Sequence, residues 1–145
     1  MEWMLMPYRR YADFSGRSRR QEYWMFTLFV AIVYAAGLGL MFAGGFSFNP
    51  DGTGEPGVLF WVGAGLIGLF ALGTFIPMIA VVVRRLHDRD MSGWWYLGAI
   101  VAGLIPFVGF LASIALLVVM CLEGTRGPNR FGPDPKDPTE ANVFA

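Results

Sequence analysis

VLFWVGAGLIGLFALGTFIPMIAVVV, residues 58–83, runs for 26 positions without a Lys, Arg, Asp, Glu or His. At about 1.5 Å per helical residue, such a run outreaches the roughly 30 Å hydrocarbon core of a bilayer. A helix of a soluble domain keeps charge on the face that meets water, and this run has no such face. Two further runs share the property: residues 23–46, with 24 positions, and residues 94–122, with 29. The chain therefore reads as all-α, a polytopic transmembrane helical bundle.

Composition agrees. Of 145 residues, 55% are apolar and 15% charged, against about 45–50% and about 25% in soluble domains. Net charge is zero, so nothing draws the chain globally to nucleic acid. Its distribution is lopsided. Basic residues occupy positions 9–20, 84–89 and 126–136, and the connection 47–57 has none. Lys and Arg collect on the cytoplasmic side of bacterial membranes. The expected placement is a multi-pass membrane protein with its N-terminus and the 84–93 loop in the cytoplasm and 47–57 outside. Run 23–46 is too long for the h-region of a cleaved signal, and no A-x-A-like site follows it.

Three stretches follow from this: a basic and aromatic interfacial segment at 1–22, a membrane domain at 23–122 and a polar Pro/Gly-rich tail at 123–145. In the first, Trp3, Met4, Met6, Tyr8, Tyr11 and Phe14 alternate with five arginines, which suits a segment lying at headgroup depth; Pro7 weakens any helix there. Ala31, Ala35, Gly39 and Ala43 recur every fourth residue, a spacing that lets helices approach closely inside one molecule. Gly63, Gly65, Gly68 and Gly73 thin the second run, with Ala64 and Gly68 at packing distance. Pro77 predicts a kink that Thr74 partly compensates. Gly44, Gly45, Asn49, Pro50, Asp51, Gly52 and Gly54 predict a loose outer loop. The tail beyond Pro133 reads as disordered.

The third run is long for one crossing and short for two. Pro106 and Gly109 divide it, giving two full spans plus a third apolar block broken at Pro106, either one kinked span or a short helical hairpin. The basic tail favours the hairpin, which returns Arg126, Arg130 and Lys136 to the cytoplasm.

Charge gathers in three clusters: Phe14-Ser-Gly-Arg17-Ser-Arg19-Arg20-Gln-Glu22-Tyr23-Trp24, Arg84-Arg85-Leu-His87-Asp88-Arg89-Asp90-Met-Ser92-Gly93-Trp94-Trp95, and Gly124-Thr-Arg-Gly-Pro-Asn129-Arg130-Phe131-Gly132-Pro133-Asp134-Pro135. In this order they resemble the domain of unknown function 805 family, small bacterial inner-membrane proteins of the YhaH type. The family pattern is approximately F-x-G-R-x-x-R-x-E-Y-W, R-R-L-H-D-x-x-x-S-x-W-W and N-R-F-G-P-D-P. This chain departs in its longer outer loop and in Arg89-Asp90. The resemblance implies a membrane location and a shared fold, and it carries no activity.

The residues themselves point to a site. A helix continuing past Val83 puts Arg84, His87 and Asp88 on one face, where Asp88 pairs with Arg84 or Arg85 and orients His87 or raises its pKa. The expected function is non-enzymatic: Arg17, Arg20, Arg84, Arg85, His87, Asp88, Asn129 and Arg130 bind anionic phospholipid headgroups or a protein partner. Tyr23, Trp24, Trp94 and Trp95 anchor the interface. Rival readings are a membrane enzyme on a lipid-linked substrate using His87 and Asp88, and a small subunit of a transport or envelope complex. Homo-oligomers fit either. No cofactor or metal is expected: His87 is the sole histidine and Cys121 lies across an apolar block. Cys121 allows no internal disulfide and reads as a small packed residue before an acylation site.

Overall fold

The computed structural model describes residues 2–43, 46–48 and 54–137. Helix α1 (Glu2–Arg9) leads into α2 (Arg20–Ala43); the ribbon β1 (Phe46–Phe48) and β2 (Gly54–Pro56) turns the chain back into α3 (Val58–His87). Then come α4 (Trp94–Ala102), α5 (Pro106–Cys121) and an ordered segment to residue 137.

Helices α2 and α3 form the long antiparallel pair. They measure about 36 and 45 Å at 1.5 Å per residue, and both are apolar enough to cross a bilayer. Only 6% and 28% of their most apolar windows are buried inside the protein. A soluble core helix would be mostly covered, so the solvent that these faces require is hydrocarbon.

The pair closes along a line other than the expected one. Ala31, Ala35, Gly39 and Ala43 are all exposed. Contact runs instead through Gly37 and Gly63: a Cβ on Gly63 would lie 2.6 Å from Met41 Cγ and 3.0 Å from the Gly37 carbonyl, and one on Gly37 only 2.5 Å from Ile67. Gly65, Gly68 and Gly73 meet nothing within 4 Å. Helix α2 has small residues on more than one face, and the bulk of Ile67 and Met41 selects which is used. Tyr34 and Phe29 then meet Phe70 edge to face, with ring centroids 5.7 and 6.1 Å apart.

Helix α3 runs unbroken through the buried Pro77 and on to His87. Thr74 Oγ1, expected to mend the proline's missing bond, lies 2.7 Å from Tyr8 Oη. Its partner belongs to α1, which is a continuous helix despite Pro7 and packs on α2 and α3. Tyr8 stands edge-on to Phe26 and Phe29. The N-terminal segment is thus packed against both long helices.

The third apolar block is broken where expected. Ile105 is extended (φ −107°, ψ 111°), as the residue before a proline should be, and Pro106 is the first residue of α5. The two arms touch backbone to backbone, since a Cβ on Gly109 would sit 2.7 Å from Gly103 Cα. Both ends return to the last turns of α3. Gly93 lies under Val83, while the Arg85 guanidinium donates to the Leu122 carbonyl. The block folds as two helices that double back on each other, a helical hairpin.

Opposite this end, the connection between α2 and α3 is a two-stranded antiparallel ribbon that pairs Ser47 with Glu55. The all-α expectation gains this small exception. Gly44, Gly45, Asn49, Pro50, Asp51 and Gly52 of the expected outer loop, and residues 138–145 of the tail, lie outside the described residues.

Candidate functional site, a sealed ionic headpiece

Five segments converge at the end of α3: the loop 10–19, the first turn of α2, the turn 88–93, the last turn of α5 and the segment 123–137. Their floor is apolar. Val82, Leu86 and Met120 are buried there, and Tyr23, Met91, Tyr96, Leu116 and Val119 pack around them.

Above the floor lie three buried arginines and two buried carboxylates. Arg84 Nη2 donates to Glu22 Oε1 at 2.8 Å, and its Nη1 donates to the carbonyls of Asp13 (2.5 Å) and Arg10 (3.3 Å), just beyond α1. Glu22 Oε2 accepts the Ser18 hydroxyl at 2.8 Å. Asp88 sits between two guanidinium groups. Arg17 Nε and Nη2 approach Oδ1 at 3.0 and 2.9 Å, and Arg85 Nη1 donates to Oδ2. Arg17 reaches onward to the carbonyls of Gly127 (2.6 Å) and Thr125 (2.5 Å).

One positive charge is left over, three guanidinium groups facing two carboxylates, and carbonyl dipoles take it up. Arg85 donates to Leu122 at the end of α5, where the unpaired carbonyls and the negative end of the helix dipole attract a cation. Pairs this dry must satisfy nearly every donor to offset desolvation. Among the described residues, Arg84 Nε is the sole buried side-chain polar atom without a partner.

Of the two expected partners for Asp88, Arg85 pairs with it and Arg84 does not. Arg84 turns to Glu22 on α2, and Arg85 and Arg17 take Asp88. Nor does Asp88 orient His87. The His87 ring stacks on Phe131 (centroids 3.9 Å, planes 4° apart), with Nδ1 3.2 Å from the Gly16 carbonyl. The turn after α3 places these groups. Met91 N–H bonds back to Leu86 and Asp90 N–H to His87, a Schellman closure with Asp90 in the left-handed region at φ 57°. Arg130 holds Asp90 there through its carboxylate (3.1 Å) and carbonyl (2.6 Å).

The segment 123–137 straps the cluster shut. Thr125 N–H donates to the Asp88 carbonyl at 2.8 Å, and Asn129 Nδ2 donates to the His87 carbonyl at 2.9 Å. Asp134 accepts the N–H groups of Lys136 (2.9 Å) and Gly127 (3.0 Å), bonds that hold its carboxyl below the usual carboxylate range. Arg19 bonds the Pro135 carbonyl while its guanidinium covers the Trp3 ring. Residues 134–136 are therefore packed against the headpiece rather than loose as expected beyond Pro133.

Gly124 permits the closure. A Cβ there would overlap Asp88 Oδ2, whose carboxylate is held in place by Arg17 and Arg85. Gly124→Ala is expected to destabilise the protein by about 1–3 kcal/mol. Thermal unfolding in detergent measures this; an unchanged midpoint would show that the strap does not close on Asp88.

Of the sequence-predicted residues, Arg17, Arg84, Arg85 and Asp88 form the interior and His87 and Asn129 line it. Arg20 and Arg130 remain exposed. Trp24, Trp94 and Trp95 face outward, whereas Tyr23 packs into the floor. Glu22, Gly124, Thr125 and Phe131 lie within the three charged clusters but outside the expected set of site residues. Glu22 had a legible signal, being the lone acid among the arginines of the first cluster.

Long apolar helices that stay bare outside a polar headpiece define a helical membrane protein. Residues 11–133 match the family described as protein of unknown function (DUF805), and the chain belongs to that family. It is 42% identical to the inner membrane protein YhaI of Escherichia coli K12 over 94% of this chain and 97% of that one. Identity to the inner membrane protein YhaH of the same strain is 41%, over 94% and 98%. The uncharacterized protein YiiR is 30% identical over 86% and 87%. No solved structure matches.

Proposed function

We propose that this chain is a non-enzymatic, multi-pass protein of the bacterial inner membrane whose headpiece lies in the cytoplasm and binds anionic phospholipid headgroups along its rim. Ten of the eleven basic residues belong to the headpiece segments, Arg9 ends α1 just before them, and none lies in the connecting ribbon, which by the charge rule supports a cytoplasmic headpiece and an external ribbon. The inner-membrane names of YhaI and YhaH support the location.

The observation that carries the lipid reading is the sorting of cations. The interior takes Arg17, Arg84 and Arg85, while Arg9, Arg20, Arg126, Arg130 and Lys136 stay exposed. Arg20 lines an open groove of about 390 Å³ with Gln21, Trp24, Met25 and Cys121, a cation beside an exposed indole at the edge of an apolar helix. Trp94 and Trp95 ring the same end. Each such cation contributes about 1 kcal/mol at an anionic surface.

Native mass spectrometry of the purified protein is expected to retain phosphatidylglycerol or cardiolipin in preference to phosphatidylcholine. Arg20→Ala and Arg130→Ala should each weaken retention by up to about fivefold, the equivalent of 1 kcal/mol. Equal retention of the neutral lipid would remove the reading.

A further inference from the structure

We infer that the α4–α5 hairpin is a wedge in a single leaflet, which makes the protein prefer membrane curved with the headpiece on its convex side. The inference rests on the topology proposed above, but on shape and not on charge.

Residues 94–122 contain no ionisable side chain other than Tyr96 and Cys121. Their exposed apolar residues point in every direction, among them Trp95, Leu97, Ile100, Val101, Leu104, Phe107, Phe110, Leu111, Ile114 and Leu117. A helix lying on a membrane surface keeps a polar face. This hairpin has none, so hydrocarbon must surround it. Yet α4 and α5 measure only about 14 and 24 Å, short of the roughly 30 Å core. Their outer ends are tied to α3 at Val83 and Arg85, beside the headpiece. At the tip, Leu104 and Ile105 are 81% and 56% exposed. The tip N–H groups are satisfied within the turn: Gly103 bonds Ala99, Leu104 bonds Val101 and Ile105 bonds Ala102. Such a turn tolerates a membrane interior better than an open loop would.

Beyond its base the hairpin leaves the α2–α3 pair. Only Leu86 of α3 joins Gly98, Ala99, Ala102, Ala112 and Ala115 around the cleft of about 420 Å³ between the arms. Acyl chains of the headpiece leaflet are the occupant that this geometry fits, because the cleft is almost wholly apolar and opens along arms that end inside the bilayer.

The result is an uneven cross-section. On the headpiece side, α4 and α5 stand beside α2 and α3, and α1 is packed there through Tyr8 and Thr74. On the far side, α2 and α3 stand alone among the described helices. At a helix diameter of 10–12 Å, the hairpin adds roughly 200 Å² to one leaflet only. A membrane inclusion wider at one face is at lower free energy where that leaflet is stretched.

The test uses the full chain with Cys121→Ser, reconstituted in giant vesicles of phosphatidylcholine alone so that headgroup charge plays no part. A spin label at Leu104→Cys reports depth; a fluorophore on a C-terminal tag, with an impermeant quencher, reports orientation. The label should be accessible to oxygen and shielded from polar relaxation agents on both sides. On membrane tethers pulled from the vesicles, headpiece-out molecules should be enriched about twofold or more over the flat membrane, and headpiece-in molecules depleted. A label reached by polar agents from either side would overturn the hairpin's depth and the wedge together. A deep label without opposite sorting of the two orientations would overturn the wedge and leave the topology standing.

Discussion

Replacing Asp88 by Ala is expected to cost about 3–5 kcal/mol, because it leaves Arg17 and Arg85 buried without their shared counter-charge. Both guanidinium groups are essentially inaccessible, at 1% and 0% side-chain exposure, so water cannot replace the lost carboxylate without opening the headpiece. Domains are stable by only about 5–15 kcal/mol in total, so the variant should accumulate poorly and unfold at much lower denaturant in detergent. Asp88→Glu should not restore it. Its extra methylene has to fit between Arg85 and Gly124, the contact that excludes even a Cβ on Gly124. A loss below about 1 kcal/mol in Asp88→Ala, the size of an exposed pair, would mean that the cluster is hydrated.

Glu22→Ala is expected to cost a similar amount, about 3–5 kcal/mol, by stranding Arg84. Arg84 is fully buried and Glu22 nearly so, at 0% and 3% side-chain exposure. The pair can also be removed whole. Glu22→Met with Arg84→Met replaces two buried charges by apolar groups of comparable reach, a change often neutral where the single substitutions are severe. The double variant should therefore be markedly less damaged than the sum of the two single ones, measured as a coupling energy in a double-mutant cycle. Some loss remains expected, since Arg84 also serves the Asp13 and Arg10 carbonyls. Additive effects would show that Glu22 and Arg84 do not depend on each other.

These two results bear on why three charged clusters persist beside apolar helices. Each helix end near the headpiece exposes unpaired carbonyls or N–H groups, and the arginines are spent on them: Arg84 on the residues after α1, Arg85 on the end of α5, Arg17 on the strap. The buried ion pairs join segments up to 71 residues apart. The cluster thus holds the N-terminal segment, both long helices, the hairpin and the strap together.

Much of this was legible before any coordinates. Runs without charge located α2 and α3, the proline placed the break before α5, and the arginine positions marked the end where chemistry collects. The choice between partners was not legible. Spacing on α3 allows Asp88 to pair with Arg84 or Arg85 and cannot choose between them, whereas Glu22 arrives from α2 to take Arg84, and Arg17 arrives from the loop to share Asp88 with Arg85. The packing face of α2 was hidden for a similar reason, since a stripe of alanines and a single Gly37 look alike until Ile67 and Met41 fill one side.

By itself, then, the sequence determined the solvent of each helix, because hydrocarbon tolerates no charge over some twenty residues and the count of apolar positions is local information. It also determined the family and the site of the break, since proline acts on its immediate neighbours. Only the tertiary structure decided which carboxylate answers which arginine, that Gly124 lets the strap close on Asp88, and that the cations divide into an interior set and a rim. Those outcomes depend on distances between segments far apart in the chain. In a dry cluster, where an unpaired charge is costly, such distances and not sequence spacing select the pairs.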